Sequence, residues 1–165
     1  MRLVFDLEAN DLYEGATVIH CIVLKDISLS KSKSFGFHGK HLVDGLALLE
    51  EADELIGHNI IDYDLRLIKK LYPDFKPKGL ILDTYLLSSL LNPDRKGGHS
   101  LGQYGEELGI KKPEHEDWSQ FSPEMLHRCT EDVHINHKVY DKLMTEAYED
   151  VRGLEYHKIF TNSLQ

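Results

Sequence analysis

Short apolar runs alternate with helical stripes along the chain, and the order of the two periods predicts an α/β fold with a sheet of mixed direction. Leu3-Val4-Phe5 reads as a strand buried on both faces, and Val18 to Leu24 as a second, with Gly15 marking the hairpin between them. A Ser/Lys-rich loop over 28–34 precedes a short third strand from Ser34 to His38. Leu42, Val43, Leu46 and Leu49 then recur at helical spacing, and Glu54 to Gly57 is a short strand stopped by glycine. A helix carrying Leu65, Leu67, Ile68 and Leu71 leads, through a turn with two prolines, to the strand Leu80–Thr84 and the helix Tyr85–Leu91. After a flexible Asn92–Gly98 loop, His99-Ser100-Leu101 opens another helix, and Lys111 to Gln120 reads as a polar surface loop holding the only tryptophan, Trp118. Ser122 as N-cap and Pro123 at the first helical position start a long helix with an apolar stripe from Met125 to Leu143. The first strand is expected at the centre of the sheet, with this last helix packed across it. The tail from Val151 has no clear period.

With 165 residues, 41% of them hydrophobic and 28% charged, one domain over 1–165 is expected, large enough for a real core. There is no apolar run of membrane-spanning length, and no signal-like segment follows Met1-Arg2. Cys21 and Cys129 have neither zinc-site nor disulfide-framework spacing, so a reducing, cytoplasmic setting is the expectation. The net charge of −9 speaks against a protein that simply tracks phosphates with basic residues. It does not speak against a metallonuclease, in which dications supply the positive charge locally.

The first strand ends in two carboxylates, Asp6 and Glu8, whose spacing of two sends both to one side. Two buried like charges are costly unless a cation lies between them, and hard oxygen ligands suit magnesium or manganese. A strand end with solvated acids is the plainer alternative. In Gly57-His58-Asn59-Ile60-Ile61-Asp62-Tyr63-Asp64, acids in a first helical turn are explained by the helix dipole, but the His-Asn pair before them is not. Asp132 lies well inside the last helix among apolar neighbours. In the expected architecture Asp6 and Glu8 face Asp132, and Asp64 reaches in from the start of its helix. Four carboxylates at one point would hold two dications about 4 Å apart, suited to in-line attack on a phosphodiester.

Three stretches carry a resemblance. Asp6-Leu7-Glu8-Ala9-Asn10, then His58-Asn59-Ile60-Ile61-Asp62-Tyr63-Asp64, then Glu131-Asp132-Val133 ahead of Asn136-His137-Lys138-Val139-Tyr140-Asp141-Lys142-Leu143, resemble the three exonuclease motifs of the DEDD superfamily. They are most similar to the 3′–5′ proofreading domains of phage-type family A DNA polymerases, and Asp83-Thr84 and Gly98-His99-Ser100-Leu101 resemble the same domains between motifs. The resemblance covers nearly the whole chain. It implies a ribonuclease H-like fold, a mixed central sheet flanked by helices, and two Mg2+ or Mn2+ ions held by Asp6, Glu8, Asp64 and Asp132. It further implies hydrolysis at the 3′ end of single-stranded DNA, with a DNA polymerase as a possible second partner. No membrane association is expected, and the chain is expected to act as a monomer. Leu7 and Tyr63 would wedge or stack terminal bases, while His58, Asn59 and Arg128 would contact substrate.

The departure lies beside the last acid. Proofreading members usually have a tyrosine four residues before it, where this chain has Arg128; another branch has a histidine five residues before it, matched here by His127. His127 is therefore the candidate base. On a regular helix, however, five residues turn it roughly 140° from Asp132, so its side chain must swing over the site. The alternative is a surface histidine with Arg128 paired to Asp132. The same chemistry on RNA and a non-catalytic binding module are the two rival functions.

Overall fold

The computed structural model describes residues 1–31 and 33–149; the expectation for the tail from Val151 lies outside them. The elements are β1 (Arg2–Ala9), β2 (Ile19–Asp26), β3 (Ser34–His38), a single 3-10 turn, α1 (Leu42–Glu51), β4 (Glu54–Gly57), α2 (Asp64–Leu71), β5 (Leu80–Asp83), α3 (Thr84–Leu91), α4 (Leu101–Glu107) and α5 (Pro123–Glu149). The five strands run β3-β2-β1-β4-β5, so β1 is central as expected. It pairs antiparallel with β2 and parallel with β4, which makes the sheet mixed. The second strand begins one residue later than the apolar run suggested and continues to Asp26, leaving Val18 exposed.

Strand alternation divides the core into two layers. Leu3, Phe5, Leu7 and Ala9 of β1 face one side and pack with Leu42, Leu46 and Leu49 of α1 and Leu67 and Ile68 of α2. Val4 faces the other side, where α3, α4 and α5 contribute Leu87, Tyr104, Met125, Val133, Val139 and Leu143. Asp6 and Glu8 follow Val4 on that second face. The sequence thus swaps apolar for acidic residues on the α5 side of β1 while keeping its other side apolar.

α5 crosses that face with its apolar stripe inward. Ser122 Oγ accepts from the Met125 backbone N–H at 3.1 Å, the cap expected from Ser-Pro. At the far end Arg95 donates to both carboxylate oxygens of Glu146, at 3.1 and 2.7 Å, tying the loop after α3 to the helix.

β4 passes into the loop before α2 at Gly57, where a side chain would run into Ile60. That loop is held by Asp83, almost fully buried at the end of β5. Asp83 Oδ1 accepts from the Asn59 N–H at 2.9 Å, and Oδ2 from the Ile61 N–H at 3.1 Å. The same carboxylate caps α3, accepting from the Tyr85 and Leu86 N–H groups at 2.9 and 3.4 Å. One side chain therefore fixes two elements, and with them the approach of α2. Replacing it leaves buried amides without an acceptor, so Asp83→Ala should cost about 3 kcal/mol or more in urea unfolding. A loss below about 0.5 kcal/mol, the scale of an ordinary surface change, would show that the loop is held otherwise.

Candidate active site

The four acids predicted from the sequence do come together. Asp6 and Glu8 enter from β1, Asp132 from the middle of α5, and Asp64 from the first residue of α2; Glu8, Asp64 and Asp132 are buried. Asp62 separates from this group: its carboxylate pairs with Arg66 one turn on, at 3.1 Å, and is 76% exposed. Asp62 is thus an exposed acid just before α2, whereas Asp64, the acid of its first turn, is buried.

Burial and mutual repulsion leave the cluster reluctant to ionise. Asp6 is held well above the usual carboxylate range by burial and by the charges of Asp132, Asp64 and Glu8. Burial, then Asp132, pushes Glu8 to about 7 against the pull of Arg128 and Lys112. Asp64 is raised to about 8, chiefly by burial and secondarily by Glu8 and Asp83, against backbone amides of Asp64 and Leu7. Burial also raises Asp132, with Lys112 and Arg128 opposing it. Asp132 Oδ1 and Glu8 Oε1 are buried without a hydrogen-bond partner. The oxygens of Asp6 and Glu8 and the sulfur of Cys129 lie within 4.8 Å of one another, and Cys129 Sγ donates to Asp6 Oδ2 at 3.4 Å. Hard oxygen donors, two of them unsatisfied, in a cluster that resists its own charge are what a divalent cation would complete.

Two cations already reach the acids. Lys112 Nζ pairs with Asp132 Oδ2 at 2.7 Å, and Arg128 Nε faces Glu8 Oε1 at 3.4 Å. The second contact is coulombic, since neither atom meets hydrogen-bond geometry. Arg128 thus pairs with Glu8, and the Asp132 partner considered for it is supplied instead by Lys112. Arg128 also donates to the Pro113 carbonyl at 2.8 Å and stacks its guanidinium over Trp118, 5.2 Å from the ring centre. His127, one residue before it, is exposed on α5.

A cavity of about 390 Å3 opens beside Glu8, lined by Leu7, Ala9, Asn10, Asp11, Leu12, Tyr63 and Trp118. Tyr63 donates its hydroxyl to the Asp11 carbonyl at 2.9 Å, and Leu7, on the other face of β1, is nearly buried. His58 sits deeper, its Nδ1 2.9 Å from Thr84 Oγ1, and burial lowers it to about 4, so the imidazole is neutral. Asn59 adopts a left-handed φ of 62° and gives its backbone N–H to Asp83. Lys112 and Trp118 carried no recognisable signal in the sequence, because both come from the polar loop between α4 and α5 and meet the acids only in three dimensions.

A mixed sheet, a long helix across it and acids closing the end of its central strand define a ribonuclease H-like fold. No protein-family model matches the chain. In sequence it is similar to the DNA-directed DNA polymerases of Enterobacteria phage T3 and Escherichia phage T7, at 26% and 25% identity over 88% of this chain. The chain spans 27% of the length of each. In fold it is similar to Brucella melitensis NrnC bound to pGG, with a TM-score of 0.71 at 17% identity over 96% of this chain and 79% of that one. Escherichia coli RNase D, an exoribonuclease involved in structured RNA processing, gives 0.59 at 14% identity over 99% and 45%. The family B DNA polymerase of Pyrobaculum calidifontis gives 0.67 at 14% over 96% and 26%. These likenesses support the DEDD-exonuclease resemblance read from the three motifs. No helix among the described residues is long and apolar enough to cross a membrane.

The raised carboxylates set a pH dependence. In the unfolded chain these groups ionise near their ordinary values, whereas folded Glu8 and Asp64 keep protons to about 7 and about 8. Between those limits the folded, metal-free protein binds more protons than the unfolded chain, so its stability falls as pH rises through about 7 and about 8. Thermal unfolding of the metal-free protein should start several degrees lower at pH 8.5 than at pH 5, and Asp64→Asn should flatten the slope. A melting temperature that climbs over this range would contradict the buried acid cluster.

Proposed function

We propose that the chain is a metal-dependent 3′–5′ exonuclease that removes nucleotides from single-stranded DNA ends. The observation that carries this reading is that Asp6, Glu8, Asp64 and Asp132 stand close enough to raise one another's ionisation, with Glu8 Oε1 and Asp132 Oδ1 unsatisfied. Asp6, Glu8, Asp64 and Asp132 would hold the divalent ions, Mg2+ or Mn2+. Such ions would supply the positive charge that lets a phosphodiester approach the acids and the acidity that activates water. Tyr63 and Trp118 give the neighbouring cavity ring faces on which a terminal base can stack, with Leu7 in its wall. His58 and Asn59 would face substrate from the loop before α2, His58 as a neutral group. DNA as substrate, and a DNA polymerase as partner, rest on the two phage relatives.

RNA is the second reading, favoured by the likeness of fold to an exoribonuclease and to NrnC bound to pGG. Matched end-labelled DNA and RNA strands separate the two. With the preferred strand, chelation should abolish digestion and Mg2+ or Mn2+ should restore it. Asp6→Ala should lower turnover by about a thousandfold or more while leaving the fold intact, because it removes one member of a repelling cluster. Undiminished digestion in excess EDTA would overturn the reading.

The water's proton is assigned to His127 and the scissile phosphate to Arg128. Arginine remains protonated at any working pH and so cannot serve as base. His127→Ala should then lose about a hundredfold in rate with little change in metal affinity, and the acidic limb of the pH–rate profile should move. Arg128→Ala should act mainly on KM. If His127→Ala is close to wild type while Arg128→Ala impairs turnover, the histidine assignment fails and Arg128 becomes the residue that completes the centre.

A further inference from the structure

The loop between α4 and α5 places a lysine in an unusual position. Lys112 is 28% exposed at its side chain, yet its ammonium pairs at 2.7 Å with the carboxylate of Asp132, which is 4% exposed. Its charge is felt beyond that partner, pulling against the raised ionisation of Asp6 and Glu8 as well. Arg128, the other cation here, is anchored three ways: to the Pro113 carbonyl, over the Trp118 ring and against Glu8. Among the described residues Lys112 forms no ion pair except that with Asp132. It is a compact point charge on a flexible stem, reaching in from the solvent side.

A dication at Asp132 would find Oδ1 unpartnered, but with Lys112 on Oδ2 of the same carboxylate the two cations would stand close enough to repel each other. The ammonium must then move outward. The group that arrives with substrate is an anion, the phosphodiester, which an ammonium freed from Asp132 can pair with.

Resting on the exonuclease reading above, we infer that Lys112 is an exchangeable counter-ion: it neutralises Asp132 when no metal is present and passes to the substrate phosphate when a dication takes that carboxylate. Lys112 thereby opposes metal binding in the free protein and favours substrate binding in the loaded one. This gives its removal two effects of opposite sign. A lysine that merely braces the loop cannot do this, because loosening the site would weaken metal and substrate together.

The test uses the full chain with Lys112→Gln and, as a second neutral variant with a stem of similar length, Lys112→Met. Mn2+ is titrated by calorimetry without nucleic acid, and KM and kcat are measured at saturating Mn2+ on whichever single strand the wild type digests. Both variants should bind Mn2+ about threefold to tenfold more tightly than wild type. KM for the strand should rise about tenfold with kcat within about threefold, as expected for loss of one charged phosphate contact. Unchanged or weaker Mn2+ binding in a folded variant overturns the inference, as does an unchanged KM. If wild type binds Mn2+ and digests the strand while the variants match it, the inference about Lys112 alone fails. If wild type neither binds Mn2+ nor digests any strand, the exonuclease reading fails and takes this inference with it.

Discussion

Everything at this site follows from the cost of holding like charges together away from water. Asp6, Glu8, Asp64 and Asp132 all have their ionisation raised, and in each case burial is the largest cause. Such a cluster cannot hold itself together, because every member would be better separated or hydrated. The surroundings must impose it. Lys112 and Arg128 relieve part of the strain, and retained protons relieve more, but neither fixes where the carboxylates stand.

That task falls to three anchors, two of them apolar and one a buried carboxylate. β1 is pinned on its other face by Leu3, Phe5, Leu7 and Ala9, so its alternation leaves Asp6 and Glu8 no choice of side. α5 is locked by Met125, Val133, Val139 and Leu143, which carries Asp132 to the same point. Asp64 has the longest chain of support, through Asp83 to the loop before α2 and on to the cap of α3. Stability has therefore been invested away from the site and drawn down at it, a common relation between scaffold and function.

Much of this was legible in the sequence because it depends on local periods. The spacing of Asp6 and Glu8, the Ser122-Pro123 helix start and the order of strands and helices all follow from short-range patterns, and the structure has them. Separating Asp62 from Asp64 needed the fold, since both are equally good first-turn acids until one is seen to be buried. The cations needed it still more. Along its own helix Arg128 has Asp132 as the natural partner four residues on, the alternative to a substrate contact, whereas the structure turns it across to Glu8 on β1. Lys112 lies 20 residues before Asp132 in a polar loop, and nothing in its neighbours marks it out. Pairings made by a long, irregular connection leave no period to read.

Asn59 shows how a motif can mislead about its own meaning. Beside His58 it looks like a residue chosen for its amide, yet its φ of 62° belongs to the left-handed region that asparagine enters more readily than most residues. Glycine would satisfy that backbone at no steric cost, aspartate nearly as well, and a β-branched residue poorly. Position 59 is thus constrained by chain geometry before any ligand is considered. In an alignment of relatives, an invariant asparagine here would look the same whether selection acted on substrate contact or on the bend alone.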